Sequence, residues 1–308
     1  MRRTVSVIVC TRNNAESLRH TLASISACSV PPGVELDALV VDNGSSDHTC
    51  QVVEESCSPS LRFRLVHEER AGLSNARNRA MSEARGEAFL WTDDDVRVPA
   101  SWISAMSGPV LSGSAHAVAG EVRIPPSLLE AVARTPLAPR LGLVASTHEL
   151  DFRNPGMMFG ANMAFSREVL SAVPAFDPTL GAGPVSLGCF EEVLFSRQLL
   201  AAGFRLVGVP GDEAAVLHHF DPRRSGFDQV MMMSRRLGRS QAHFDRVRGA
   251  STMRSPRLAI ALENLQFASR CLRWSLRLGA RGAIEEARIR RARRLGYLRQ
   301  AIADRSRR

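Results

Sequence analysis

The chain has 308 residues, 44% hydrophobic and 23% charged, with a formal net charge of +9. That is enough apolar material for one large folded domain with an appendage, and it excludes disorder as the main state. Residues 222–308 hold 22 arginines against 6 acids while residues 1–221 hold 18 against 25, with no lysine anywhere, so the basicity belongs to the tail.

The six cysteines, Cys10, Cys28, Cys50, Cys57, Cys189 and Cys271, contain no C-x-x-C pair. Their scatter predicts neither a zinc site nor a disulfide framework and points to a reducing compartment. No run approaches the roughly 20 apolar residues that cross a bilayer, and no signal-peptide core precedes the first apolar run. The expected location is cytoplasmic, or peripheral on the cytoplasmic face of a membrane.

In chain order, the continuous apolar run Val5 to Val9 predicts a strand buried on both faces, the pattern of a central parallel strand. Leu18, Leu22 and Ile25 follow at helical spacing, Pro31-Pro32-Gly33 stops that helix, and Leu36 to Val41 forms a second strand, completing a βαβ unit. A third strand is expected near Phe63 to Val66, a helix from about Gly72 to Ala84, and a fourth strand from Glu87 to Trp91. From Pro99 to about Leu150 prolines break the pattern and a variable loop region is expected, and residues 99–158 are expected to shape a side pocket. Order returns over Gly160 to Leu170, then a Gly/Pro-rich stretch at Gly181 to Pro184, then a helix from about Glu191 to Ala202. From Phe227 the chain reads as helical and basic, with Leu258, Leu262, Leu265, Cys271, Leu272, Leu276 and Leu278 set among arginines.

Open α/β sheets bind ligands beyond the carboxyl ends of their strands. Thr11-Arg12-Asn13, Asp42-Asn43-Gly44-Ser45 and Asp93-Asp94-Asp95 all fall at such ends. Adjacent carboxylates repel one another unless solvent or a cation relieves them. An all-oxygen cluster suits Mg²⁺ or Mn²⁺ held together with substrate phosphates; a solvated acidic turn is the competing explanation. Asp42 has the chemistry to accept hydrogen bonds from uracil or ribose, although Asx and Gly residues also favour bends of this kind.

These segments form a series. Val7-Ile8-Val9-Cys10-Thr11-Arg12-Asn13, Val41-Asp42-Asn43-Gly44-Ser45-Ser46-Asp47, Gly72-Leu73-Ser74-Asn75-Ala76-Arg77-Asn78 and Thr92-Asp93-Asp94-Asp95 resemble, in order and spacing, family 2 glycosyltransferases of the GT-A fold. Gly160-Ala161-Asn162-Met163-Ala164-Phe165 resembles the family's acceptor-side strand, and Gly188-Cys189-Phe190-Glu191-Glu192 its catalytic segment. The resemblance covers residues 4–225. It implies a Rossmann-like, largely parallel mixed sheet flanked by helices, and an inverting transfer from a nucleotide-diphosphate sugar to an acceptor hydroxyl.

By position, the resemblance makes Glu192 the base. The family has Asp there, so Glu191 remains the alternative. It places Thr11, Arg12, Asn13, Asp42, Asn43, Arg77, Asp93, Asp94 and Arg224 around the donor nucleotide and diphosphate. Gly160, Ala161 and Asn162 fall on the acceptor side. Asp95, Asp93 and His218 become ligands of Mn²⁺ or Mg²⁺, with His219 as the alternative imidazole. The implied organisation is a GT-A domain over residues 1–225, split into a nucleotide-sugar half (1–98) and an acceptor half (99–225), with a basic helical extension over 226–308.

Two other readings compete. A nucleotidyltransferase would also need acidic ligands, but Thr11-Arg12-Asn13-Asn14 offers no Gly-rich phosphate loop. A nucleic-acid-binding module would rest on the tail, which has few aromatics for stacking on bases, so no specific nucleic acid is expected. An anionic membrane surface explains the tail's charge better, with a homo-oligomer interface as the alternative. The expected small partners are a UDP-sugar donor and a glycan, lipid-linked or small-molecule acceptor.

Overall fold

The structure is a computed structural model that describes residues 3–140, 146–147, 150–184, 186–249 and 256–305. Its elements are β1 (Arg3–Thr11), α1 (Ala15–Ser26), β2 (Val34–Asp42), α2 (Thr49–Glu55), β3 (Phe63–His67), α3 (Leu73–Glu83), β4 (Ala88–Asp93), β5 (Val96–Arg97) and α4 (Trp102–Leu111). There follow β6 (Ala117–Gly120), β7 (Val122–Arg123), α5 (Pro126–Val132), β8 (Met163–Ser166), α6 (Glu191–Ala201), β9 (Leu206–Val209), β10 (Val216–His218), α7 (Phe227–Val247) and α8 (Pro256–Arg305).

Two compact units result. The first comprises Met1–Leu128, Leu141–Pro178 and Glu191–Phe220; the second comprises Leu129–Arg140, Thr179–Phe190 and Asp221–Arg308.

In the first unit a seven-stranded sheet runs β3-β2-β1-β4-β8-β6-β9. The β3-β2-β1-β4 half is parallel, and β8 runs antiparallel to both β4 and β6. As the apolar run of β1 predicts, that strand is flanked on both sides, and Val5 through Val9 are buried. The two-residue repeat of a strand sends alternate side chains into separate cores. Val5, Val7 and Val9 pack with Leu18, Leu22, Ile25 and Trp102 on one face. Ile8, Phe89 and Trp91 pack with Ala76, Ala80, Phe165, Phe176 and Phe195 on the other. A small sheet, β5-β10-β7, lies beyond the end of β4 and carries the chain through Val96 and His218.

The region expected to be loop from Pro99 onward is instead substantially ordered, with α4, β6, β7 and α5 inside it. Gly108 and Pro109 near the end of α4 mask its helical signal, because neither residue type favours a helix interior. The two-residue β7 is too short to show any period. Residues 141–145 and 148–149 of that region lie outside the described residues. Helix α2 has seven residues and no sequence signal distinguished it from loop.

The second unit contains the helical tail expected from the sequence. α7 and α8 approach closely at two glycines: a Cβ on Gly238 would overlap the backbone of Arg293, and one on Gly296 would overlap the backbone of Arg235. Arg246 reaches Asp304 at 3.2 Å on the same pair. The side chains of Leu258, Leu265, Cys271, Leu272, Leu276 and Leu278 lie outside those described. Among the described residues, no helix is long and apolar enough to cross a membrane.

One buried charge ties the sheet together away from the strand ends discussed below. Asp37 accepts hydrogen bonds from Ser6 Oγ at 2.8 Å, Arg64 Nε at 2.8 Å and the Arg85 backbone N–H at 2.9 Å. Burial alone would raise its pKa, but these donors outweigh burial and hold it below the ordinary aspartate value. A group whose pKa is depressed by folding contributes stability above its unfolded pKa, and that contribution disappears as pH falls through the folded value. Asp37→Asn is therefore expected to cost about 1–3 kcal/mol at pH 7. The difference from wild type should shrink steadily in urea melts as pH drops below the usual carboxylate range. A pH-independent difference would show that the charge of Asp37 is immaterial.

Candidate active site

The carboxyl ends of β1, β2 and β4 stand side by side because the three strands are parallel and in register, Thr11 opposite Asp42 and Cys10 opposite Asp93. The loops leaving them are stapled to one another by the residues that the sequence singled out. Asn13 adopts a positive φ of 52°, accepts from the Ser46 N–H through Oδ1 at 2.7 Å, and donates its own N–H to Ser45 Oγ at 2.9 Å. The side chain of Asn43 is fully used in fixing the loop before α3. It donates to the carbonyls of Glu68 and Arg70 at 2.9 Å each and accepts from the Gly72 N–H at 2.7 Å. Asp42 is 3% exposed, accepts from the Ser45 N–H through Oδ1 at 3.0 Å, and turns Oδ2 toward His67 Nδ1 at 3.3 Å. Arg12 is exposed at the mouth of the same loops.

The three consecutive aspartates do not act alike. Asp94 turns back to β1, where it accepts from Thr11 Oγ1 at 2.6 Å and from Asn14 Nδ2 at 2.8 Å. Burial, and then the charge of Asp95, push its carboxyl up to about 7 despite those two bonds. Asp94 thus joins the β4 turn to the end of β1. Asp93 and Asp95 face the other way. Asp93 lies 3.8 Å from Arg77, and burial raises its pKa while Arg77 opposes that shift. Asp95 Oδ1 is 3.3 Å from His218 Nε2, because β10 pairs with β5 and brings His218 opposite Val96. The Asp95 carbonyl also accepts from the His219 N–H at 2.7 Å. Of the two histidines, His218 is the one whose ring meets the aspartate.

Two ligands bound cis on an octahedral ion at about 2.1–2.2 Å stand about 3 Å apart. The Asp95–His218 separation fits that spacing. A carboxylate and an imidazole at this spacing are donors that suit Mn²⁺.

Behind these acids lies a buried ionic group. Arg77, on α3, is 3% exposed and donates through NH1 to Glu191 Oε1 at 2.8 Å, with Glu191 at the first position of α6 and 5% exposed. The guanidinium also stands over the Phe176 ring, 5.5 Å from its centroid. Phe176 stacks on Phe195 at 4.5 Å, and Phe195 contacts Phe165 at 5.0 Å, so the arginine rests on an aromatic floor. Burial disfavours the charge on Arg77, but Glu191 and Asp93 overcome it and raise its pKa. Gly160 owes its identity to this arginine, since a Cβ there would overlap the guanidinium.

Glu192 is the next residue along α6. Its Oε2 is buried with no hydrogen-bond partner. Burial, reinforced by the charge of Glu191, drives its pKa well above the ordinary glutamate value, while Arg77 draws it down.

Ala161 and Asn162 lead into β8. Asn162 is wholly buried; it accepts from Trp102 Nε1 at 2.9 Å and donates to the carbonyls of Glu121 and Ala214 at 2.8 Å each. The Ala161 carbonyl accepts from Thr92 Oγ1 at 2.9 Å, next to Asp93. Arg224 lies in a short 3₁₀ helix, Pro222–Ser225, of the second unit. Sequence reasoning passed over Asn14 and Phe176. Asn14 adjoins a recognised motif and was within reach, whereas nothing local marks a phenylalanine as the support of an arginine 99 positions earlier.

Residues 6–173 match Glycosyl transferase family 2. The succinoglycan biosynthesis protein ExoM of Rhizobium meliloti is 30% identical over 121 residues, which is 39% of this chain and 38% of ExoM. The chain spans less than two fifths of the curated relatives it matches. Among solved structures, the mannosyltransferase PcManGT from Pyrobaculum calidifontis, in complex with GDP-Man and Mn²⁺, aligns with a TM-score of 0.58 at 21% identity, covering 96% of this chain and 87% of that one. Glucosyl-3-phosphoglycerate synthase from Mycobacterium tuberculosis, in complex with Mn²⁺, UDP-Glc and phosphoglyceric acid, aligns with a TM-score of 0.50 at 23% identity, covering 77% and 78%. These likenesses establish the fold as GT-A. With the family match extending over more than half of the chain, and with the strand-end motifs in their expected order, the protein belongs to glycosyl transferase family 2.

Proposed function

We propose that the protein moves a sugar from a nucleotide-diphosphate donor to an acceptor hydroxyl with inversion at the anomeric carbon, and that Glu192 is the base. The supporting observation is the orphaned, buried Oε2 of Glu192 beside a neighbour already committed to an arginine. Glu191 is held by Arg77 at 2.8 Å. Glu192 has a raised pKa and an unused oxygen, the two properties that suit a carboxylate for taking a proton from a hydroxyl.

In this reading Asp93, Asp95 and His218 hold a divalent cation, Mn²⁺ or Mg²⁺, which supplies charge neutralisation for the departing diphosphate. Asp42, near uracil or ribose, orients the nucleoside; Arg12 and Thr11 border its phosphates, with Asn13 and Asn43 keeping the loops in place. Arg77 holds Glu191 and biases Asp93 toward its ionised form. Gly160 to Asn162 form the acceptor-side wall chiefly through backbone, since the Asn162 amide is fully engaged. PcManGT and the mycobacterial synthase, solved with GDP-Man and UDP-Glc, supply the donor classes to try first. ExoM's name makes a bacterial polysaccharide one candidate acceptor alongside lipid-linked and small-molecule ones. Attachment of the arginine-rich helices to an anionic membrane belongs to the same proposal.

Ligand that binds only the folded state, at 100 times its Kd, adds about 2.7 kcal/mol of stability. UDP or GDP with Mn²⁺ is therefore expected to raise Tm by several degrees, the nucleotide without metal to do little, and Asp95→Ala to abolish the rise. An equal shift in the metal-free protein would remove the cation from the donor site.

A further inference from the structure

Beside the strand ends already described, the fold gathers three potential ligands that are far apart in sequence. Asp42 ends β2, Cys50 lies in the first turn of α2, and His67 ends β3. A carboxylate oxygen of Asp42, the sulfur of Cys50 and a ring nitrogen of His67 all lie within 4.8 Å of one another. The Asp42 Oδ2 to His67 Nδ1 distance is 3.3 Å. Two non-sulfur ligands of a tetrahedral zinc ion, each about 2.0–2.1 Å from the metal, stand about 3.3–3.4 Å apart. That edge of the tetrahedron already exists. Closing the sulfur onto it takes a movement of about an ångström, within the rotamer freedom of an exposed side chain, and both Cys50 and His67 are exposed.

We infer that Asp42, Cys50 and His67 form a site for Zn²⁺ or a similar borderline-soft cation, with its fourth position open to water. The donor chemistry differs from that of Asp93, Asp95 and His218: thiolate and imidazole select zinc over magnesium or manganese. The surroundings favour a cation. The carboxylate of Asp42, buried and within 4.8 Å of the Cys50 sulfur, supplies the negative charge. On binding, the thiol proton passes to solvent and the sulfur takes its place on the metal.

The site has a functional consequence that rests on the donor reading above. Asp42 cannot serve both zinc and a nucleoside, so zinc acts as a competitor of the donor at a position separate from the catalytic cation. The cysteine spacing gave no hint of this, because the three ligands come from three elements.

The test is titration of the reduced, metal-stripped full chain with Zn²⁺ by calorimetry, with Co²⁺ as a spectroscopic substitute. Cobalt-loaded wild type is expected to show a thiolate-to-metal charge-transfer band that Cys50→Ser abolishes, and Cys50→Ser and His67→Ala are each expected to weaken zinc binding at least tenfold. Undiminished zinc affinity in both variants, with no thiolate band in the wild type, would overturn the site. Saturating zinc is further expected to weaken UDP binding at least tenfold in wild type but not in Cys50→Ser. Zinc-loaded wild type that binds UDP normally would overturn the competition. Absence of UDP binding to the zinc-free protein with Mn²⁺ present would instead sink the donor reading and leave the metal site to be judged by the cobalt spectrum.

Discussion

Glu192→Gln is expected to lower kcat by about 10²–10⁴-fold, the usual contribution of a positioned general base, with the donor's Kd changed little. The amide keeps the shape of the side chain and removes only its ability to accept a proton. Because burial and Glu191 raise the Glu192 pKa, the wild-type rate should climb with pH through a value well above that of an ordinary glutamate. Below that value the group carries its proton and cannot act as base; above it the rate levels off. Glu192→Asp, which restores the residue typical of the family, should retain part of the rate and keep the pH limb. Turnover of Glu192→Gln at the wild-type rate would remove Glu192 from the role, and Glu191→Gln would then be the variant to measure.

Arg77→Met is expected to destabilise the fold by about 3–5 kcal/mol, the range for breaking a buried ion pair from one side. The methionine fills much of the space over Phe176 but leaves the Glu191 carboxylate, 5% exposed, without its counter-charge. The double variant Arg77→Met/Glu191→Gln should recover much of that loss, since replacing both partners removes the uncompensated charge. The comparison is made by urea denaturation of the four proteins in the cycle. A single-variant loss below about 1 kcal/mol would place the pair among the surface bridges that contribute little. Arg77 also draws the Glu192 pKa down, so its removal should move the pH limb of the residual rate further upward.

The two predictions concern residues that the sequence identified to different degrees. Arg77 and Glu191 each lie in a recognisable motif, but their pairing spans 114 positions and no local pattern announces it. The aspartate run was visible at the end of a predicted strand. Its division of labour was not: Asp94 belongs to Thr11 and Asn14, while Asp95 belongs with His218. That split follows from the turn between β4 and β5, in which Asp94 and Asp95 lie, together with the neighbours that β1 and β10 supply on each side. Asn162 illustrates the same limit. Its place beside the family's acceptor strand was legible, yet its three hydrogen-bond partners come from α4, the β6–β7 junction and the approach to β10.

By itself the sequence determined the alternating strands and helices of the first hundred residues, the strand ends at which polar residues collect, and the family. Each depends on hydrophobic period or on residue types adjacent in the chain, and that information is local. Tertiary structure alone decided which carboxylate is spent on an arginine and which keeps a bare oxygen. It also decided which aspartate meets a histidine, and that a cysteine stands beside Asp42 and His67. Those outcomes depend on burial and on distances between remote segments, which exist only once parallel pairing has set the strand ends side by side.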